Sequence, residues 1–122
     1  RMVEVLNVPI ELLICPTVRQ ADGLAMSSRN SCLSPVERQQ ALAVSSALAE
    51  AVRLHAGGER NASTVQQQMR TILLDAGITR IDYVALADPE TLEPRITLDQ
   101  PTIALIACHV GQTRLIDNLR IC

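Results

Sequence analysis

Apolar residues recur every three or four positions in the middle of the chain and form short runs towards its end. The first spacing is that of amphipathic helices, and the short runs are typical of strands. Two helices are predicted, one from Ser34 to the Gly57-Gly58 pair and one from Asn61 or Ser63 to Gly77. Their core-facing stripes are Ala41, Val44, Leu48, Ala51 and Val52 in the first helix and Val65, Met69, Ile72, Leu73 and Ala76 in the second.

The first helix has a strong start signal. Ser34 is an N-cap residue, Pro35 suits the first helical position, and Glu37 completes a capping box.

Three strand patterns follow the helices. Residues 80–88 alternate between apolar and polar, residues 102–110 are nearly continuously apolar as in a buried central strand, and residues 113–120 follow a short turn. The last two strands are expected to form a hairpin. The fold class predicted for residues 31–122 is α+β, with two helices on a three-stranded, mainly antiparallel sheet.

The first thirty residues have a different pattern. Residues 1–7 are predicted to be the end of a helix, and the apolar run from Pro9 to Cys15 is predicted to be a strand bounded by prolines. A polar loop, residues 18–30, leaves the carboxyl end of that strand, which is where nucleotide-binding α/β domains hold their ligands.

The loop carries the candidate chemistry. Ser27, Ser28 and Arg29 set two hydroxyls beside a guanidinium, and these donors suit the oxygens of a polyphosphate. An ordinary polar surface loop is the alternative. Ser27 alone has a second interpretation as the cap of the following turn, and Met26 has one as a core residue. Gly23 is expected to give the loop a hinge.

Composition limits the function. The chain of 122 residues is 48% hydrophobic and 20% charged with a net charge of −2, which is typical of a globular domain and gives no electrostatic case for nucleic acid or an anionic membrane. It has no apolar run of about 18 residues and no signal-peptide pattern, so a cytoplasmic location is expected.

The cysteines and histidines give no metal signal. Cys15, Cys32, Cys108 and Cys122 have neither C-x-x-C nor zinc spacing, so reduced thiols and no metal are expected. His55 near a helix end is expected to act as a cap.

Three blocks of sequence carry a resemblance to a known family. They are Thr17–Arg19 and Asp22–Asn30 with Leu33–Pro35 and Glu37–Arg38, then Ile81–Val84 with Asp88–Leu92, and last Gly111–Asn118. Together they resemble the pantothenate synthetase (pantoate–β-alanine ligase) family. Two features of that family have no counterpart here. A His-x-Gly-His turn is missing because the only two histidines, His55 and His109, stand far apart, and the active-site lysine is missing because all eleven basic residues are arginine. The resemblance is therefore to the C-terminal portion.

The resemblance implies an enzyme that condenses pantoate with β-alanine using ATP and Mg²⁺, through pantoyl adenylate, with release of AMP and pyrophosphate. Ser27, Ser28 and Arg29 match the family's phosphate-contacting, catalytic residues, and Val18 and Met26 match positions that line the adenine. Residues 1–30 then represent the last strand and ATP-binding loop of a Rossmann-like nucleotidyltransferase domain, and residues 31–122 a lid.

Further expectations follow from this interpretation. The lid would close about a hinge at residues 29–34, the fragment alone would be inactive, and the parent would be a homodimer. The alternative is a non-catalytic interaction or linker domain, for example the joint of a bifunctional pantoate ligase/cytidylate kinase.

Four charged residues are expected to form local ion pairs. Arg19 and Asp22 are expected to pair across the loop, and Arg114 and Asp117 are expected to pair on the last strand. Cys32 and His109 depart from the tyrosine and arginine that the family commonly has there, which concerns local packing.

Overall fold

Two long helices lie against one face of an antiparallel sheet in the computed structural model, which describes residues 2–122. One helix packs on the second and third strands and the other on the first. This architecture confirms the predicted α+β unit. The elements are helices α1 (Met2–Val5), α2 (Pro35–Ala56) and α3 (Ala62–Asp75), a 3₁₀ turn (Ser28–Cys32), and strands β1 (Arg80–Ala87), β2 (Ile103–Val110) and β3 (Thr113–Arg120).

Both long helices begin at the predicted caps. The Ser34 hydroxyl accepts a hydrogen bond from the Glu37 N–H at 3.2 Å, and the Glu37 carboxylate accepts one from the Ser34 N–H at 2.8 Å. Asn61 Oδ1 accepts bonds from the Ser63 and Thr64 N–H groups at 2.9 and 3.3 Å. These bonds satisfy N–H groups that have no partner within the helix, so each helix has a defined start.

The core is aliphatic because the single aromatic residue, Tyr83, is 42% exposed on the sheet. The strand order is β1-β2-β3, and central Ile106 pairs with Val84 on one side and Asp117 on the other. Most of the predicted stripes are buried, while Val52, Ile72 and Ala76 lie at the border of the core. The largest fully buried side chains are Leu48, Met69, Leu73, Ile78, Leu98 and Ile106.

The first residues form less regular structure than predicted. The end of a helix is present as α1, and Arg1 lies outside the described residues. The strand predicted over Pro9–Cys15 is not formed, and Leu13 and Ile14 are 86% and 92% exposed. A strand needs a neighbour for its backbone hydrogen bonds, and no strand within residues 2–122 pairs with this segment.

The turn between β2 and β3 rests on the start of α2. Gly111 has φ of +56°, and a Cβ added there would lie 1.8 Å from Glu37 Oε1, the carboxylate that caps α2. We expect Gly111→Ala to lower the free energy of unfolding by about 2 kcal/mol, because it adds backbone strain and displaces the cap. Urea denaturation measures this change.

Gly58 offers a matched control. Its φ is +98°, but an added Cβ would meet no atom within 4 Å. Gly58→Ala therefore carries the strain alone, about 1 kcal/mol. Equal losses in the two variants would show that the contact between Gly111 and Glu37 has no energetic weight.

Candidate functional site

Residues 18–26 fold back on themselves before the Ser-Ser-Arg sequence. The Met26 N–H donates to the Val18 carbonyl at 2.9 Å, and the Gln20 N–H donates to the Leu24 carbonyl at 2.8 Å. The Leu24 side chain is 4% exposed and belongs to the core shared by the helices and the sheet. The loop is therefore attached to the helices and the sheet through a buried side chain.

The 3₁₀ turn presents the predicted donors at the surface. Ser27 is its N-cap, and its hydroxyl oxygen accepts the Arg29 N–H at 3.2 Å. The cap interpretation of Ser27 is thus correct, yet its hydroxyl proton stays available, because a hydroxyl has one donor beside two lone pairs. Below the turn, buried Asn30 donates from Nδ2 to the Ala25 carbonyl at 3.0 Å.

Arg29 differs from its neighbouring arginines. Its side chain is exposed and makes no hydrogen bond or ion pair with any of residues 2–122. Arg19, Arg38 and Arg114 each bind a carboxylate. A guanidinium that is not neutralised inside the protein keeps its full set of donors for an anion.

A cavity of about 270 Å³ opens between the loop, α2 and β3. Arg29 and Arg114 line it, and the same two arginines line a second cavity of about 370 Å³ together with Cys32. Met26 and Val18 are 63% and 64% exposed, so the interpretation of Met26 as a core residue is wrong. The remaining walls of the first cavity are Thr17, Leu24, Ala25, Met26, Ser27, Asn30, Val44, Leu115, Ile116, Asp117 and Asn118.

The second arginine at these cavities is held by an acidic partner. Arg114 Nε donates to Asp82 Oδ2 at 2.7 Å, and His109 Nε2 lies 3.4 Å from Asp82 Oδ1. The hydrogen bond from Arg114 lowers the pKa of Asp82, and the nearby charges of His109, Arg114 and Arg80 add to this effect. Partial burial acts in the opposite direction but does not outweigh them. Asp82 therefore balances part of the charge of Arg114, whereas Arg29 has no acidic partner among residues 2–122.

Comparison with known proteins identifies the family. The family model for Pantoate-beta-alanine ligase matches residues 1–120.

The chain belongs to the pantoate–β-alanine ligase family.

Relatives and a solved structure agree with this assignment. Pantothenate synthetases from a Thermoanaerobacter species and from Thermotoga petrophila are 45% and 48% identical over 119 and 118 residues. A bifunctional pantoate ligase/cytidylate kinase from Gloeobacter violaceus is 46% identical over 114 residues, 93% of this chain and 22% of that protein. The crystal structure of pantothenate synthetase from Thermus thermophilus superposes with a TM-score of 0.91 at 35% identity.

The aligned region covers nearly all of this chain but less than half of each of these relatives. It covers 98% and 97% of the chain but only 42% of the Thermoanaerobacter and Thermotoga synthetases, and 98% against 43% for the Thermus structure. The chain therefore corresponds to part of a pantoate–β-alanine ligase, the C-terminal portion that the sequence predicted.

Two predicted ion pairs are wrong. Arg114 and Asp117 are three residues apart on a strand, so their side chains point to opposite faces, and Arg114 binds Asp82 instead. Arg19 binds Asp117 rather than Asp22. Asp22 accepts the Leu24 N–H and binds Arg38 at 2.5 Å, and these bonds lower its pKa although partial burial acts in the other direction.

Sequence reasoning missed the partners that hold the site. Asp117 and Arg19 are 98 positions apart, and Arg38 and Asp22 are 16 apart, so no local pattern links them. Only a register for β3 that pointed Asp117 towards the helices would have raised the question of its partner.

The rest of the described chain adds no second site. Within residues 2–122 no group of three histidine, cysteine or acidic side chains is placed to hold a metal ion, and no helix has the length and apolar character needed to span a membrane. All four thiols are free, and burial raises the pKa of Cys108 to about 11. His55 lies in the last turn of α2, at the helix end where it was expected, and its Nε2 lies 3.0 Å from the Leu98 carbonyl.

Proposed function

We propose that this chain is the C-terminal part of an enzyme that condenses pantoate with β-alanine, using ATP and releasing AMP and pyrophosphate. The single observation that carries the site assignment is Arg29, an exposed guanidinium that has no hydrogen-bond or ion-pair partner among residues 2–122. It directly follows Ser27 and Ser28, and it lines a cavity together with Ser27. Membership of the pantoate–β-alanine ligase family supplies the reaction.

The chemistry proceeds in two steps. The pantoate carboxylate attacks the α-phosphorus of ATP, and the bond to the pyrophosphate oxygen breaks, which gives pantoyl adenylate. The amine of β-alanine then attacks the acyl carbon, loses a proton, and AMP leaves with the electrons of the acyl–oxygen bond.

The loop's donors act on the charge that these steps move. In the first step negative charge builds on phosphate oxygens and on the leaving pyrophosphate, and donors fixed there stabilise the transition state more than the ground state. We assign that role to Ser27, Ser28 and Arg29. The Val18 backbone and the Met26 side chain line the adenine.

Residues 2–122 offer no ligand set for magnesium. Asp22 within the loop and Asp117 at the cavity are both bound to arginines, and the described residues contain no cluster of metal ligands. We therefore assign no step of the reaction to a metal held by these residues.

We also propose that the loop moves with the lid. Leu24 in the shared core, the Arg19–Asp117 pair and the Arg38–Asp22 pair join residues 18–30 to residues 31–122. A hinge before Val18 therefore fits these contacts better than the hinge expected at residues 29–34 or a domain boundary after residue 30. Closure would carry the loop and lid together onto ATP.

The first fifteen residues expose apolar side chains, which bears on how this chain is assembled into the whole enzyme. Leu6, Ile10, Leu12, Leu13 and Ile14 are 58% to 92% exposed, so these residues need a covering surface. We propose that the 122 residues are inactive alone and that the whole enzyme is a cytoplasmic homodimer. Free thiols suit a reducing compartment.

A linker role in a bifunctional protein is the second candidate, favoured by the Gloeobacter relative. A glycine-rich phosphate loop encoded shortly after Cys122 would decide for it.

Release of AMP tests the main proposal. The full-length protein that contains this chain is incubated with ATP in four mixtures: without a second substrate, with pantoate, with β-alanine, and with pantoate and β-alanine together. We expect stoichiometric AMP and pantothenate only when both are present. A folded protein that forms no AMP under these conditions would rule out the ligase reaction.

A further inference from the structure

An ion pair with a buried carboxylate joins the phosphate-binding loop to the last strand of the lid. Arg19 Nη1 lies 2.6 Å from Asp117 Oδ2, and Nη2 lies 3.1 Å from Oδ1. The same nitrogens donate to the Gly23 carbonyl at 3.1 Å and to the Asn118 carbonyl at 3.4 Å. The Asp117 side chain is 3% exposed and that of Arg19 is 26% exposed, so solvent screens the pair only weakly.

Arg19 occupies the position in the loop where a fixed backbone matters most. It lies opposite Ala25 in an isolated antiparallel bridge, next to the hydrogen bond between the Met26 N–H and the Val18 carbonyl. Val18 and Met26 are the residues assigned to the adenine, and Met26 directly precedes Ser27. The Arg19 side chain therefore ties the backbone beside both adenine-lining residues to β3.

We propose that Asp117 is a positioning residue for ATP, acting through Arg19 to hold the loop in its nucleotide-binding geometry. This inference rests on the proposed function. It assigns to Asp117, a buried residue of β3, an effect on nucleotide binding that passes through its ion pair with Arg19.

The other contacts of the loop make the proposal testable without unfolding. Leu24 stays in the core, and Arg38 still binds Asp22 in a pair whose side chains are 36% and 35% exposed. Loss of Asp117 thus leaves the loop attached and frees it only around Arg19. Asp117→Asn is the mildest change, since the amide keeps the size and one acceptor oxygen but loses the charge.

Steady-state kinetics of the full-length enzyme give the first measurement. We expect Asp117→Asn to raise the KM for ATP about tenfold or more and to change the KM for β-alanine less than about twofold, because small misplacements of binding groups are costly. The matched control is Arg95→Gln, which breaks a half-buried pair with Asp88 at 2.5 Å. The Arg95 side chain hydrogen-bonds Asp88 and Pro101 and none of residues 18–30. The KM of Arg95→Gln for ATP should therefore stay within about twofold of the wild-type value.

A double variant separates positioning from stability. Arg19→Met with Asp117→Leu leaves no unpaired charge, so it should melt closer to the wild type than Arg19→Met alone. The KM for ATP should nevertheless stay raised, because the bidentate geometry is gone. A double variant with a normal KM for ATP would reduce the pair to a structural role and overturn the proposal.

Hydrogen exchange keeps the test independent of the reaction. The Met26 amide should exchange faster in Asp117→Asn than in the wild type and be unchanged in Arg95→Gln. Unaltered exchange at Met26 would overturn the inference whether or not the wild type forms AMP. If the wild type forms no AMP, the ligase proposal fails, and faster exchange would still support the anchoring of the loop by Asp117.

Discussion

Arg29→Ala in the full-length protein is expected to slow AMP formation by on the order of a hundredfold or more, with folding intact. The exposed guanidinium makes no hydrogen bond or ion pair with any of residues 2–122, so its removal leaves no buried polar group without a partner. The backbone of the turn is held by the Ser27 cap and by Asn30, neither of which uses the Arg29 side chain. The loss should therefore fall on kcat, where charge develops on phosphate.

Arg70→Ala is the matched control. Arg70 is also exposed and has no hydrogen bond or ion pair among the described residues, but it lies on α3 and lines neither cavity at the loop. The Arg70→Ala variant should therefore form AMP at the wild-type rate. Near-normal AMP formation by Arg29→Ala beside an active wild type would leave the family assignment standing and remove the Ser-Ser-Arg site.

The parts of the fold that sequence predicts well are those decided by neighbouring residues. The capping box at Ser34 and Glu37 and the two-residue turn at Gly111 depend on contacts within three or four positions along the chain. The strand predicted over Pro9–Cys15 depends instead on partners elsewhere. An apolar run indicates burial, but a strand forms only where another strand offers its backbone, and within residues 2–122 none does so here.

The candidate site divides in the same way. Ser27, Ser28 and Arg29 are adjacent, so residue type alone indicates an anion site. The ion pair that anchors the loop beside them joins Arg19 to Asp117, 98 positions later in the sequence. This pair depends on the position of Asp117 on β3, which only the paired sheet defines. Opposite charges close in sequence were a misleading guide, because Arg114 and Asp117 point to opposite faces of their strand.

Neighbouring leucines on α3 test how much of the stability is carried by the aliphatic core. Leu73 is 0% exposed and Leu74 is 47% exposed, although both belong to the same helix. We expect Leu73→Ala to lower the free energy of unfolding by about 3 kcal/mol, through lost burial and the cavity left behind. Urea denaturation followed by circular dichroism measures the difference from the wild type.

Leu74→Ala carries the same change in helix propensity without the cavity, so its cost should stay below about 1 kcal/mol. The contrast between the two variants thus isolates packing between α3 and the sheet. With a single exposed aromatic residue in the chain, no aromatic ring compensates for a missing leucine in this core. Equal losses for the two leucines would mean that α3 does not pack on β1 as the structure has it.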